Sequence, residues 1–323
     1  MVELKCGPDE AGSRIDKYFR KRLPLLGLSE IYGLIRKGGI KVDGKKVKQN
    51  YRLKEGDCLQ LKIDPSELKP ASRVDQSLES LINTRFFKKN FHVLYEDPYI
   101  LACNKPAGLV VHSGSGHLNH DNLIDMATAY LISKGECSSE SQTPVLVHRL
   151  DRDTSGVILL AKNKGVTRIL HQSMQSDKFG KKYIAVCHHR PPKNHDTVTT
   201  TLKRSDRSAT GMKMTVDQKG AVSKSSYKLI SYQHDLSRVE VTLHTGRTHQ
   251  IRVQMSYLKA PVVGDVRYGD STLDKVLFSQ KTIPNRLYLH AHKLTFPHPH
   301  TKKTLRIEAT IPEEFLRILE NSI

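Results

Sequence analysis

Residues 147–156, with the sequence VHRLDRDTSG, constrain the fold of this chain more than any other stretch. Apolar runs rich in β-branched residues lie on both sides of it, at 144–147 and 157–161. Continuous apolar runs of this kind are typical of buried strands. The polar turn between them is therefore predicted to lie at a strand end, where a rigid scaffold commonly presents functional side chains.

Asp151 is the residue of this turn with the clearest chemical use. It lies between two arginines, Arg149 and Arg152, and nearby opposite charges favour the ionised form of a carboxylate. An ionised carboxylate can act as a nucleophile or a base, and it is poorly suited to donating a proton. A surface ion-pair cluster with little effect on stability would have the same residues, so the spacing alone favours neither interpretation.

The charge of the chain indicates a polyanionic partner. There are 52 Lys and Arg against 33 Asp and Glu, which gives a net charge of +19, and nucleic acid is the commonest partner of so basic a protein. An anionic membrane surface is the alternative, but the sequence contains no basic amphipathic anchor and no membrane-length apolar run. The N-terminus does not resemble a secretory signal, so we expect a cytoplasmic protein whose dispersed cysteines stay reduced.

Residues 1–64 have the pattern of a small basic domain. Ser13 and Ser29 can each cap a short amphipathic helix, and Asp43-Gly44 between two β-prone segments is a strong hairpin signal. This layout resembles the αL RNA-binding module first named from a small-subunit ribosomal protein. For any single lysine, a solvated basic face is the simpler interpretation. For the domain as a whole, the resemblance implies RNA contacts by Arg36, Lys37, Lys41, Lys45 and Lys46.

Two further regions follow this domain. Residues 65–90 contain prolines, serines and charged residues without a clear period, which is typical of a linker. From residue 91 to 323 the pattern changes, with strand signals at 92–95, 99–103 and 238–243. Periodicity therefore predicts an α+β domain with many strands and few helices over residues 91–323.

The segment HRLDRDTSG resembles the active-site motif of the RluA-type pseudouridine synthases. Other segments similar to the family's motifs follow its order, namely the Lys-Pro-x-Gly stretch at 105–108, Tyr183 behind a lysine, the TGRTHQIRV stretch at 245–253, and residues 289–299. The resemblance implies a mixed, mostly antiparallel sheet with peripheral helices. It also implies isomerisation of specific uridines to pseudouridine in large-subunit (23S) ribosomal RNA, without a metal or any other cofactor.

The resemblance further implies a role for each residue of the site. Asp151 is the catalytic aspartate, acting on the sugar or the base, as nucleophile or as proton abstractor. Arg247 pairs with this carboxylate and aims it, and Tyr183 stacks on the extruded uracil and can relay a proton. Arg149 and Arg152 fill the vacated base stack or grip phosphates.

Other functions remain open from the sequence. A synthase of the same family with a different RNA target would have the same motifs, and a non-catalytic ribosome-assembly factor would keep the RNA-binding surface. A phosphotransferase is suggested by the letters His-Arg-x-Asp, but kinases have His-Arg-Asp, and no Gly-rich loop or Asp-Phe-Gly is present. We predict no metal site, because the histidine spacings fit no standard set of ligands, and we expect a monomer.

Overall fold

The computed structural model describes residues 2–7, 10–23, 26–64, 67, 76–112, 121–137, 143–205, 213–279 and 282–320. Within these residues the strands form two sheets, one of four strands and one of eleven. Much of the first half of the predicted linker, residues 65, 66 and 68–75, lies outside the described residues.

The N-terminal part is a four-stranded antiparallel sheet with two helices. Its elements are β1 (Val2–Lys5), α1 (Ile15–Arg22), α2 (Leu28–Lys37), β2 (Ile40–Val42), β3 (Lys45–Lys46) and β4 (Cys58–Leu61), in the strand order β1-β4-β2-β3. The predicted hairpin is confirmed, because β2 and β3 pair antiparallel around Asp43 and Gly44. Both of these residues have positive φ, as the tight turn of a two-residue hairpin requires.

The predicted helix caps are wrong. Helix α1 begins after Arg14 and α2 after Gly27, and neither cap residue makes a side-chain hydrogen bond to the helix. At α2 the bond runs the other way, since the backbone N–H of Gly27 donates to the carboxylate of Glu30 at 2.6 Å. The start of this helix is therefore stabilised by Glu30, and Ser29 lies within the helix and not at its cap.

The remaining residues form a large sheet surrounded by helices. A 3-10 helix covers Gln76–Asn83, and the elements after it are α3 (Arg85–Asn90), β5 (Val93–Glu96), β6 (Ile100–Lys105), α4 (Leu123–Ser133), β7 (Val145–Leu146), β8 (Ser155–Ala161), α5 (Lys164–Ser173), β9 (Gly180–His188), β10 (His195–Arg204), β11 (Met214–Val216), β12 (Ala221–Gln233), β13 (Leu236–Leu243), α6 (Gln250–Tyr257), α7 (Ser271–Ser279), β14 (Leu289–Pro297), β15 (Thr304–Glu308) and α8 (Glu314–Glu320).

The large sheet is mixed and mostly antiparallel, as predicted. Its main path is β11-β10-β12-β13-β9-β14-β8-β6-β5, with β15 on β14 and β7 on β8. Among the described strand pairs, only β14 and β8 run parallel. The α+β fold class predicted from the sequence is therefore confirmed. None of the described helices has the length and apolar content needed to cross a membrane.

Residues 76–90, which the sequence places in the linker, are largely helical. The hydroxyl of Thr84 caps α3 by accepting the N–H of Phe87 at 3.1 Å, and Leu78 is buried in one cluster with Ala129 and Leu131 of α4. This part of the predicted linker thus packs on the large domain. The boundaries at 1–64, 65–90 and 91–323 stay predictions.

Strand β8 lies at the centre of the core, and all seven of its residues are buried. Because successive side chains of a strand point to opposite faces, the strand serves two hydrophobic clusters. Ile158 belongs to the same cluster as Met126 of α4, whereas Leu159 belongs to the same cluster as Leu170 of α5. The polar turn that precedes β8 is therefore attached to a strand that is buried along its whole length.

Gly156 allows β8 to approach its parallel neighbour β14. The glycine has a φ of 112°, and a Cβ built on it would lie 2.2 Å from the carbonyl oxygen of Ala291. An L side chain at this position would meet both a backbone clash and an unfavourable φ. The glycine that ends the central motif is therefore a requirement of strand packing.

Candidate active site

The loop that carries Asp151 is tied to the end of β6 by a buried lysine. Lys105 has no exposed surface, and its Nζ donates to the carbonyl oxygens of Pro106, Leu109 and Arg152 at 2.9, 2.8 and 2.7 Å. Burial lowers the pKa of Lys105 to about 7, and the charges of the two nearby aspartates of the loop oppose that shift. The bond to the Arg152 carbonyl fixes the backbone directly after Asp151.

Asp151 is held by Arg252, the third residue of α6. Nη1 of Arg252 donates to Oδ2 of Asp151 at 3.1 Å. The rest of the guanidinium grips Asp265, with Nε to Oδ2 at 2.6 Å and Nη2 to Oδ1 at 2.7 Å. Burial favours the neutral form of Arg252, but the two carboxylates outweigh it and raise the pKa of this arginine. Arg252 is thus a charged bridge between two aspartates.

The other surroundings of Arg252 keep its orientation. The Asp265 side chain is completely buried, and it also accepts the backbone N–H groups of Arg267 and Tyr268 at 3.0 and 3.2 Å. The ring of Tyr268 lies 5.2 Å from the guanidinium carbon, in cation–π contact. The guanidinium is therefore fixed on the side away from Asp151.

The predicted pairing of Arg247 with Asp151 is wrong in this structure. Arg247 lies in the turn between β13 and α6, but it is exposed, and its Nε donates to the carbonyl of Val222 at 3.4 Å. The contact with Asp151 that was predicted for Arg247 is made by Arg252, which lies in the first turn of α6. An arginine there is disfavoured by the helix dipole and needs carboxylate partners, and Arg252 has two of them.

The two arginines beside Asp151 in sequence do not contact it in any described ion pair. Arg152 pairs with Asp153 at 3.0 Å, with 64% of its side chain exposed, and Arg149 is also exposed. Both side chains remain available to a bound molecule. The carboxylate of Asp151 is itself 26% exposed, so the site opens to solvent at the acid.

Tyr183 lies beside this acid on strand β9. It belongs to the same buried cluster as Leu150 and Ile251, which come from the Asp151 loop and from α6. Burial raises the pKa of Tyr183, and the charge of Asp151 raises it further, so the phenol stays protonated. The structure thus brings together Asp151, Tyr183 and Arg252, and it places Arg247 outside this group.

His249 and Tyr268 also belong to the site, although the sequence analysis assigned neither a role. Nε2 of His249 lies 3.8 Å from Oδ2 of Asp151, and its Nδ1 is 2.9 Å from the hydroxyl of Tyr268. The sequence signal that could have identified His249 is its spacing, because it precedes Arg252 by about one helical turn. Without knowledge of the Asp151–Arg252 pair, that spacing pointed to nothing.

The five basic residues predicted to contact RNA lie at one end of the small sheet. Lys41 and Lys46 are direct cross-strand partners, and the Lys46 methylenes lie over Gly38 at the end of α2. Arg36 and Lys37 occupy the last turn of that helix. Like charges on opposed strand positions are destabilising, and no ion pair between described residues involves any of the five.

No group of three or more His, Cys, Asp or Glu side chains in the described ranges is arranged to hold a metal ion.

Comparison with known proteins defines the class of protein. The RNA pseudouridylate synthase family matches residues 99–257, a range that contains Asp151, Tyr183 and Arg252, and the S4 domain family matches residues 13–58. The chain belongs to the RNA pseudouridylate synthase family and carries an S4 RNA-binding domain at its N-terminal end. It is therefore an RNA pseudouridine synthase, an isomerase, and the resemblance inferred from the motifs is confirmed.

Particular relatives cover almost the whole chain. Ribosomal large subunit pseudouridine synthase C of Escherichia coli (strain K12) is 35% identical over 312 residues, which are 97% of this chain and 93% of that protein. The protein of the same name from Buchnera aphidicola subsp. Baizongia pistaciae is 34% identical over 310 residues, which are 96% of this chain and 94% of that protein.

Solved structures share the fold. Human RNA pseudouridylate synthase domain containing 4 has a TM-score of 0.58 at 22% identity, covering 76% of this chain and 97% of that one. Human RNA pseudouridylate synthase domain containing 1 has a TM-score of 0.53 at 22% identity, covering 68% of this chain and 83% of that one.

Proposed function

We propose that this enzyme converts specific uridines of large-subunit ribosomal RNA to pseudouridine, with Asp151 as its catalytic residue and no cofactor. The observation that carries the proposal is the pairing of a partly exposed Asp151 with Arg252, which is buried and also paired with Asp265. The RNA target is supported by the names of the full-length relatives and by the net charge of +19.

The reaction is an isomerisation that needs no external electrons or groups. The bond between N1 of uracil and C1′ of ribose breaks, the base rotates, and C5 bonds to C1′. The C5 proton leaves and N1 gains one, so atoms and charge balance. A base inside a helix must be extruded before this chemistry can begin.

The contacts of Asp151 distinguish its two oxygens. Oδ2 accepts from Arg252 and faces His249, whereas no hydrogen bond between described residues reaches Oδ1. Oδ1 is therefore the oxygen that acts on the nucleoside. Both attack by Oδ1 and abstraction of a proton by Oδ1 are compatible with this arrangement, because an ionised carboxylate can do either.

Other residues of the site bind the RNA. Tyr183 presents a neutral phenol ring beside Asp151, which suits stacking on the extruded uracil. Arg149 and Arg152 are exposed next to the acid and can grip phosphates or occupy the vacated place in the base stack. Arg36, Lys37, Lys41, Lys45 and Lys46 would hold a more distant part of the same RNA.

The test is a pseudouridine assay that compares variants at two aspartates of the same loop. Ribosomal RNA from cells that lack this protein is incubated with the wild-type enzyme, D151N or D153N, and pseudouridines are mapped by chemical modification and primer extension. We expect D151N to lose all detectable product with RNA affinity nearly unchanged. D153N is the matched control, because Asp153 pairs with the exposed Arg152, and it should remain active.

Two results would contradict parts of this proposal separately. Product formation by D151N at the wild-type rate would remove the catalytic assignment. Modification of another RNA class, with none in large-subunit ribosomal RNA, would remove the proposed target while leaving the chemistry intact.

A further inference from the structure

His249 lies against the acid of the site without a part in the mechanism above. Its side chain is 8% exposed, and its Nε2 lies 3.8 Å from Oδ2 of Asp151. We propose that His249 is a positioning residue that presents an Nε2–H to Asp151, and that Tyr268 and the backbone of Met214 hold its ring in that tautomer. The inference rests on the catalytic role of Asp151 proposed above.

The hydrogen bonds around Tyr268 favour one tautomer of His249. The backbone N–H of Met214 donates to the Tyr268 hydroxyl oxygen at 2.8 Å, and that oxygen lies 2.9 Å from Nδ1 of His249. The hydroxyl has one hydrogen, and Nδ1 is its only acceptor among the hydrogen bonds of the described residues. A neutral imidazole that accepts at Nδ1 carries its own hydrogen on Nε2.

Electrostatics lead to the same tautomer independently. An Nε2 lone pair directed at the Asp151 carboxylate would be repelled, whereas an Nε2–H is attracted. Burial lowers the pKa of His249, the charge of Asp151 opposes this, and Arg252 and Arg267 reinforce it. The ring is therefore neutral near neutral pH, and its one hydrogen points to the acid.

The backbone places His249 and Arg252 on the same oxygen of Asp151. His249 is the N-cap residue of α6 with a φ of 55°, a left-handed conformation that is uncommon outside glycine. Strained backbone of this kind persists where the surrounding structure holds it. Two donors from one helix N-terminus thus face Oδ2, which directs Oδ1 to the nucleoside.

The anchor of this chain of contacts lies on a separate element. Met214 is the first residue of β11, and it shares a cluster with Tyr268 and Val253 of α6. The antiparallel pair of β10 and β11 therefore positions the Tyr268 hydroxyl, which favours one tautomer of His249. Single substitutions at Tyr268 and His249 remove the two side-chain links, whereas the link to Met214 is a backbone N–H.

A spectroscopic test needs no catalysis. Protein labelled with ¹⁵N-histidine gives two-bond proton–nitrogen correlations that distinguish the two neutral tautomers and the cation, and the His249 signals are assigned by their absence from H249Q. We expect the Nε2–H tautomer near neutral pH in the wild-type enzyme, and a weaker preference for it in Y268F, where only the charge of Asp151 still favours it. An Nδ1–H or doubly protonated ring in the wild type would overturn the proposal even if the enzyme makes pseudouridine.

Kinetics separate positioning from packing. Leu and Gln have similar volumes, and neither is specially suited to positive φ, so H249L and H249Q are a matched pair. We expect H249L to lower the single-turnover rate at saturating RNA about 100-fold through misplacement of the acid, with RNA affinity unchanged. H249Q should stay within about 10-fold of wild type, because its amide can donate to Asp151.

Y268F completes the test, because it removes the hydroxyl and keeps the ring that contacts Arg252. It should lower the rate about 5-fold in the wild-type background and have no effect in the H249L background, since the hydroxyl acts through His249. Equal losses in H249L and H249Q, or additive losses in Y268F and H249L, would overturn the proposal. If D151N alone loses activity, the positioning role of His249 is overturned and the proposed function stands.

Discussion

Arg252 serves two carboxylates, and this double contact links catalysis to stability at a single residue. Asp265 is completely buried, so the protein tolerates its charge only while the guanidinium is present. The same guanidinium reaches Asp151 with its remaining Nη1. The position of the Asp151 carboxylate is thus set by Arg252, which is itself held in the core by Asp265.

Comparison of R252A with R247A tests this assignment. R252A should abolish activity and reduce the free energy of unfolding by about 3–5 kcal/mol, because it leaves Asp265 buried and unpaired. R247A removes an exposed side chain and should change the free energy of unfolding by less than about 0.5 kcal/mol. Urea denaturation and single-turnover assays at saturating RNA measure both effects.

R252K is the control for charge alone. It keeps one positive charge, but an ammonium cannot reproduce the two parallel hydrogen bonds to Asp265 and still reach Asp151. We expect most of the stability loss to remain. A variant R247A that loses all turnover at saturating RNA, beside an active R252A, would restore the sequence-based assignment of Arg247.

At the scale of elements, ionic contacts join β5, α4 and β8 at the end of β8 away from the site. The carboxylate of Glu96, at the end of β5, accepts from Tyr130 of α4 at 2.8 Å. It also accepts from Lys134 at 2.8 Å and Lys162 at 2.7 Å. Burial favours the neutral acid, but these three donors outweigh it and lower the pKa of Glu96 to about 2. The cluster thus connects β5, α4 and the end of β8.

The pH dependence of stability follows from the low pKa of Glu96. Because the folded pKa lies below the ordinary value of 4.5, the contribution is complete above that pH and is lost as pH falls towards 2. E96Q should lower the free energy of unfolding by about 2 kcal/mol at neutral pH. The difference between wild type and E96Q, measured by urea denaturation, should narrow steadily below pH 4.5.

E136Q is the matched control for this cluster. Glu136 also pairs with Lys162, but 37% of its side chain is exposed, so the loss should be below about 1 kcal/mol. If the free energy of unfolding of the wild type exceeded that of E96Q by the same amount at low pH as at neutral pH, the low pKa of Glu96 would be contradicted.

The whole molecule combines a small basic domain with a large one that carries the acid. The net charge of +19 supplies affinity and steering for a polyanion, but it carries no sequence information. The opposed Lys41 and Lys46, together with Lys45 on the same hairpin, repel one another in the free protein. A phosphate backbone across them would relieve that repulsion, so this end of the small sheet is where we expect the second RNA contact.

Removal of that hairpin charge should weaken binding and spare the chemical step. The triple variant K41A/K45A/K46A should bind ribosomal RNA more weakly, and the slope of log affinity against log salt should fall by about 0.7–0.9 per lost phosphate contact. The single-turnover rate at saturating RNA should stay near the wild-type value. Filter binding over a salt series gives the slope, and a single-turnover assay at each salt concentration gives the rate.

K17A/K54A is the control, because it removes two exposed lysines of the same domain outside the hairpin. An equal fall of the salt slope in this control would show that the domain binds by overall charge. An unchanged slope in the triple variant would place the RNA elsewhere.

Much of this organisation was determined by the sequence alone. The apolar runs around residues 147–156 specify a strand-bound turn, Asp43-Gly44 specifies a hairpin, and the order of the motifs specifies the family. These features are local, since alternation, turn residues and charge spacing act over a few positions. The sequence therefore located Asp151 and Tyr183 within their motifs, and it predicted the α+β class.

The partners of these residues were decided only by the tertiary structure. The arginine that pairs with Asp151 lies 101 residues further along the chain, and Arg247 and Arg252 occupy the same short motif. Which of the two reaches the acid depends on where α6 begins and on how the helix packs beneath the sheet. The same holds for His249 and for the helices at 76–90, because a contact between distant residues requires the assembled sheet, which no local pattern contains.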